Sequence, residues 1–321
     1  MLGFDGPLPV NPDVPSPGYG KILPADSPHF VASDFDGWFF LFWAGLLVVV
    51  IALPWCINQA VRHKSYLPLL TLVAGFFTSL GEPMLDLVGH LRWAENLQAS
   101  RYHNFGIAIP LLIPPCYGLF MGLEAYWIWS IIQRGVTVRN MFMIMAAVGL
   151  SDAIMEYPGV TMGVYEYYGR QPLEFYKFPF YWSFTNAAAI MTVAVLVHFT
   201  WPLVKGKGYQ QLLIIPCGII ATTMAEFGCG FPVFLSINSP APTWLQWVIG
   251  GTGTVIVSVV WVRVLAELVA DKNSQLEWTF VGMFKSRFML PAQREAYIAG
   301  ITRPKAHAPA DAPSPDRIPV G

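Results

Sequence analysis

The chain has 321 residues, 55% hydrophobic and 12% charged, with 19 Lys and Arg against 20 Asp and Glu for a formal net charge of −1. A soluble domain carries about 25% charged residues, so the charge deficit and the positive mean hydropathy argue against a soluble domain and for an integral membrane protein. The balanced charge and the lack of a basic run exclude a nucleic-acid partner, and four scattered Cys without a C-x-x-C pair suggest neither a disulfide framework nor a zinc knuckle.

Residues 1–36 have no basic region followed by an apolar core, so no secretory signal is expected there. Rich in Pro, Gly and Asp, they read as an extended arm. A membrane span needs roughly 20 mostly apolar residues to cross about 30 Å of hydrocarbon. Seven windows meet that need: 37–61, 66–90, 105–133, 139–160, 179–204, 210–236 and 243–270. The expected fold class is therefore all-α, a polytopic bundle of about seven transmembrane helices over residues 37–270. Pro110, Pro114 and Pro115 are expected to divide the third window into a lead-in and a helix. Residues 271–321 form a C-terminal segment, and "PKAHAPADAPSPDRIPVG" at its end reads as a disordered tail.

Basic residues follow the first, third and fifth windows (Arg62, Lys64, Arg134, Arg139, Lys205, Lys207) and recur after the seventh (Lys272, Lys285, Arg287, Arg294). The opposite loops mix Arg92, Arg101, Arg170 and Lys177 with Glu95, Glu166 and Glu174. The bias puts the N-terminus outside and the C-terminus in the cytoplasm, in a cell membrane and, by expectation, a bacterial inner membrane.

With that orientation the polar residues inside the windows fall at one depth. "GEPMLDLVGH" puts Glu82, Asp86 and His90 in the outer half of the second window, and "SDAIMEYPG" puts Asp152 and Glu156 in the outer half of the fourth. Glu226 of "AEFGCGFP" and Asn186 of "SFTNAAA" lie at a similar level. Glu82/Asp86, Asp86/His90 and Asp152/Glu156 are spaced i,i+4, so each pair shares a helix face. A carboxylate at mid-bilayer costs about 2.5–3.5 kcal/mol on the insertion scale, so such residues normally face a bundle interior or a watery cavity. Two carboxyl groups one turn apart can share a proton, which is the arrangement general acid–base chemistry uses. Glu124, Glu267 and His198 lie away from this level and read as structural or interfacial.

Trp38, Trp43, Trp93, Trp182, Trp244 and Trp247 suit interface belts. The stretch "YEYYGRQPLEFYKFPFYW" (165–182) is denser than a belt requires and links the fourth and fifth windows above the acids. Tyr165, Tyr167 and Trp182 are therefore candidates, with His90, Asn186 and Glu226, for shaping a site for a greasy substrate. Pro83, Pro158, Gly228, Gly230 and Pro232 stand beside the acids, and irregular backbone at membrane depth is tolerated where it lines a cavity.

The last window has no Lys for a retinal Schiff base, and the six His are too few and scattered for a membrane di-iron site. No nucleophile elbow, P-loop or dinucleotide fingerprint is present. No metal and no cofactor are expected.

"GLSDAIMEYPGVTMGVYEYYG" followed by "KFPFYWSFTNAAAI", with an upstream "GEPMLD", resembles the AveC-like spirocyclase family over residues 70–240. The resemblance implies a multi-pass membrane protein that dehydrates or cyclises hydroxy-ketone and polyketide chains. Together these features suggest a cofactor-free acid–base enzyme acting on a lipophilic small molecule amid membrane lipids. Asp152 and Glu156 would form the central pair and Glu82 and Asp86 a second. Asn186 would orient a substrate oxygen, and Glu226 would tune a neighbouring carboxyl. A proton-coupled transporter or a lipid-binding membrane protein is the alternative.

Overall fold

Among the described residues, six helices are long and apolar enough to cross a membrane, and each lies inside one of the seven windows or extends a few residues beyond its bounds. The computed structural model describes residues 43, 46–97, 101–104, 107–240, 242–274 and 276–302. The arm over 1–36 and the tail over 304–321 lie outside them. The six helices are α1 (Leu46–His63), α2 (Leu67–Gly89), α4 (Val138–Thr161), α5 (Tyr181–Val204), α6 (Gly208–Ile237) and α7 (Thr243–Val269). Their outward faces carry large apolar side chains, among them Val49, Val50, Leu203, Met224, Leu235 and Val260. A water-soluble surface rarely presents apolar patches on this scale, and a lipid-facing one must.

The third window is built differently. It opens with a short antiparallel ribbon, β2 (Arg101–Asn104) paired with β3 (Ile107–Pro110). Only then does helix α3 run, over residues 113–132. Pro114 and Pro115 lie in its first turn, where missing N–H groups cost nothing, so the prolines start the helix rather than break it. A π-helical stretch, Gly118–Leu123, follows immediately. Helix α3 packs closely on α2: a Cβ at Gly75 would stand 2.6 Å from the Gly122 nitrogen. Small residues let helix backbones in a membrane approach to this degree.

Helix α2 is also interrupted. Its α-helical turns stop at Thr78, tighten into a 3₁₀ turn at Ser79–Gly81 and resume at Glu82–Gly89. Pro83 stands at the start of the second half. It can donate no hydrogen bond and its ring crowds the preceding turn, which accounts for the break just before Glu82. The helix ends at His90, whose left-handed backbone (φ 58°) turns the chain into β1 (Leu91–Trp93).

Helix α4 is capped by the Thr137 side chain, which accepts from the Asn140 N–H. At its far end Gly163 (φ 69°) reverses the chain into β4 (Tyr165–Tyr167). Strand β4 pairs antiparallel with β1, so that Leu91 faces Tyr167 and Trp93 faces Tyr165. A third small ribbon, β5 (Glu174–Phe175) with β6 (Phe178–Pro179), leads into α5.

The principal core fills the end of the bundle away from these ribbons. Ile128, Ile131, Met141, Ile144, Ile190 and Met191 are completely buried there. The C-terminal segment completes that core. Its helices α8 (Phe280–Ser286) and α9 (Pro291–Ile301) contribute Met283 and Ile298, and the segment before them contributes Trp278. Arg287 is buried in an ion pair with Glu124, donates to the Ala147 carbonyl at 3.1 Å, and lies over the rings of Trp127, Phe284 and Phe288. Arg294 is 8% exposed and reaches the Ser130 hydroxyl at 2.8 Å. Glu124, expected to be structural, is thus an anchor for this cap.

Removing one partner of a buried ion pair leaves the other uncompensated, at a cost of about 3–5 kcal/mol. Arg287→Ala is therefore expected to lower thermal stability in detergent strongly and to expose α8 and α9 to limited proteolysis. The double change Arg287→Met with Glu124→Leu should recover much of the loss. Equal melting temperatures for wild type and Arg287→Ala would show that the clamp contributes nothing.

Candidate functional site

The acids come together because three helices each bring carboxyl groups to the same end of the bundle. Glu82 and Asp86 occupy the resumed turns of α2, Asp152 and Glu156 the last turns of α4, and Glu226 the second half of α6. All five border one cavity of about 390 Å³, together with Asn186, Tyr165, Tyr167 and Trp182. Four of the carboxyl groups are deeply buried: Glu82 is 7% exposed, Asp86 2%, Asp152 1% and Glu226 1%. The rest of the lining is largely apolar, including Leu85, Leu112, Ile113, Leu119, Phe120 and Met121.

Four of the five have protein donors. Asp152 accepts from the Asn186 amide at 2.8 Å and from the Ser183 hydroxyl at 2.7 Å. Ser183 and Asn186 are three residues apart on α5 and so share one face. Glu156 accepts from the Tyr165 phenol at 2.6 Å and the Tyr167 phenol at 3.2 Å on the same oxygen. Asp86 accepts from the Trp93 indole N–H at 2.8 Å. Glu82 accepts from the Tyr117 phenol on α3. Glu226 differs: its Oε1 is buried and has no hydrogen-bond partner among the described residues. The Trp182 indole nitrogen is likewise unpartnered.

Strand alternation explains the ceiling. Successive side chains of a strand point to opposite faces, and directly opposed residues of an antiparallel pair share a face. Tyr165 and Tyr167 therefore face the cavity with Trp93 and Leu91, while Arg92 and Glu166 take the other face. The Trp93 and Tyr165 rings meet at 4.7 Å. Tyr165 lies so close to α4 that any side chain at Gly159 would collide with its ring. Burial first, and then the adjacent Glu156, hold both phenols well above their ordinary pKa, so they remain donors.

Three partners were not singled out by the sequence. Tyr117, Ser183 and Trp93 each donate to a carboxylate, and Trp93 reads in the sequence as an interface-belt residue. Ser183 is the only one with a local signal, its i,i+3 relation to Asn186. Asn186 donates one amide N–H to Asp152 and also borders the cavity, with a second amide N–H remaining. His90 is not brought to the cavity. Its Nε2 donates to Asn238 Oδ1 at 3.1 Å, and its ring stacks on Tyr168 at 5.0 Å. Burial holds its imidazole below the ordinary value, in the neutral form.

The exposed members of the lining are Trp43 and Leu47, from α1 and the residues before it, and Met155 and Pro158 on α4. These apolar residues give the cavity a rim on the outer surface of the bundle. Among the described residues, no three His, Cys, Asp or Glu side chains group as metal ligands.

Comparison with family models, with curated proteins and with solved structures finds no match for this chain.

Truncating a buried hydrogen-bond partner exposes the remaining group to a desolvation penalty of about 1–3 kcal/mol, more for a charged group. Asn186→Leu leaves one Asp152 oxygen without its donor and is expected to destabilise the protein by at least that amount. Asp152→Leu in the same background should restore part of it. A thermal melt of the three variants checks this, and additive losses would rule out the coupling.

Proposed function

We propose that the chain is a membrane-embedded acid–base enzyme that cyclises, dehydrates or isomerises a lipophilic small molecule. The observation that carries this reading is the meeting of five carboxyl groups from α2, α4 and α6 on one otherwise apolar cavity. Ligand pockets of roughly 300–1,000 Å³ with apolar walls and a few converging polar groups are the usual form of a small-molecule site. Here the polar groups are acids held by fixed donors, which is what positioned proton transfer requires.

In this reading one carboxyl of the Asp152/Glu156 pair gives its proton to a substrate oxygen while a neighbouring carboxylate takes one from a substrate C–H or O–H. Cyclisation and isomerisation then leave the protein's proton count unchanged, and dehydration releases one water. Tyr165 and Tyr167 fix the direction of Glu156, and Ser183 and Asn186 fix Asp152. Glu82 and Asp86 form the second pair. Polyketide, terpenoid and steroid-like molecules fit the apolar walls, and the exposed rim of Trp43, Leu47, Met155 and Pro158 supports lateral access from lipid. The likeness of the acid and tyrosine motifs to AveC-like spirocyclases points to the same chemistry.

Proton-coupled transport would require a second opening to the acids from the far side. The completely buried Ile128, Ile131, Ile144, Ile190 and Met191 form a packed floor there instead, which favours a reaction chamber. We read α3 as the seventh span, with the N-terminus outside and the C-terminal cap in the cytoplasm of a bacterial cell.

Asp152→Asn and Glu156→Gln, made singly, keep side-chain size while removing an acid. Each is expected to lower turnover of the responsive substrate by about 100-fold or more in membranes, with folding intact. Unchanged turnover in both variants would sink the assignment. For orientation, Glu174→Cys should react with an impermeant maleimide added to intact cells and Lys207→Cys should not; the reverse pattern would invert the topology.

A further inference from the structure

The five carboxyl groups are not equivalent. Protein donors occupy Glu82, Asp86, Asp152 and Glu156. Glu226 is 1% exposed, borders the cavity and has an oxygen with no partner. An unpartnered acceptor in a dry site is costly unless a ligand supplies what it lacks. A second buried polar atom on the lining, the Trp182 indole nitrogen, is unpartnered too.

The charge balance of the lining narrows what that ligand is. Among the described lining residues none is Lys, Arg or His. Arg92 acts electrostatically on Asp86 from the opposite face of its strand, not from the lining. The remaining walls include the rings of Trp93, Tyr117, Phe120, Tyr165, Tyr167 and Trp182. Aromatic faces attract cations, more strongly where water is excluded, and acids at short range in a low dielectric do the same.

We infer that the cavity is a binding site for a lipophilic cation, with the charged head against Glu226 and the chain along the apolar wall. An oxygen beside the charge would accept from the Trp182 N–H. The inference rests on the acid–base reading in one respect: there, the cation is the species formed when the substrate is protonated, and a site complementary to it binds that species more tightly than the neutral substrate. A stable amphiphilic ammonium is then a mimic of it.

The test uses the full chain in nanodiscs of zwitterionic lipid, with tryptophan fluorescence as the binding signal. The probes are decyldimethylammonium, whose N–H can donate to Glu226, and the uncharged analogue bearing an isopropyl group in its place. Wild type is expected to bind the ammonium about ten-fold more tightly than the analogue. Glu226→Gln should erase that preference, and Glu267→Gln, which changes an acid outside the lining, should retain it. Equal affinities in wild type, or a preference that survives Glu226→Gln, would overturn the inference. If Glu226→Gln does not fold, the wild-type comparison alone decides. Turnover that the ammonium does not inhibit would remove this inference and leave the enzyme standing. Saturable, Glu226-dependent binding without turnover of any neutral substrate would do the opposite.

Discussion

A carboxyl group removed from water calls for hydrogen-bond donors, and this chain buries four of them and half-buries a fifth, Glu156, around one cavity of an apolar bundle. That requirement organises everything around them. Asp152 is satisfied by a helix neighbour, through Ser183 and Asn186. Glu156 is satisfied by the strand that follows its own helix, through Tyr165 and Tyr167. Asp86 is satisfied by the strand that follows its helix, through Trp93. The short ribbon of β1 and β4 is therefore more than a connection. It is the source of donors for two acids, and its pairing holds those donors in register.

The same requirement explains why the two ends of the bundle differ. At the end with the acids, helices stop early, tighten or reverse: the 3₁₀ turn before Glu82, the left-handed His90, the turn at Gly163. These irregularities open room and admit side chains from strands. At the other end the helices are packed with Ile, Met and Ala and closed by α8 and α9. The polar groups buried there, Arg287 with Glu124 and Arg294 with Ser130, join one segment to another and border no cavity named here. One end gathers the acids around a cavity and the other holds the bundle together.

Much of this was legible in the sequence, for identifiable reasons. Hydrophobic runs of span length are set by bilayer thickness, so six windows read correctly as long apolar helices. The i,i+4 acids had to share faces, and alternation in "YEY" had to put Tyr165 and Tyr167 on one side. What was hidden depends on contacts between distant segments. Tyr117 reaches Glu82 because Gly75 and Gly122 let α2 and α3 approach, and neither glycine advertises that role. Trp93 looks like any interfacial tryptophan until β1 pairs with β4. The prolines of the third window signalled a lead-in before its helix, but not that the lead-in is an antiparallel ribbon, which depends on pairing between β2 and β3. The burial of Arg287 and Arg294 in the C-terminal segment was hidden too, because their partners Glu124 and Ser130 lie far away in sequence.

The pairing of acids with donors also bears on which group acts. A carboxylate held by two donors, as Asp152 is, has its oxygens directed at the protein. Glu156 has both phenols on one oxygen, which leaves the other free to meet a ligand. Glu226 has an unpartnered oxygen and no named donor. Among the described residues, Glu156 and Glu226 thus each present an oxygen without a protein donor, while Asp152, which shares a helix face with Glu156, has both oxygens occupied. The motif that stands out in the sequence, two acids one turn apart on α4, divides in the structure into an anchored acid and a presented one. The ceiling tyrosines make that division, and Gly159 is what lets Tyr165 come close enough to do so.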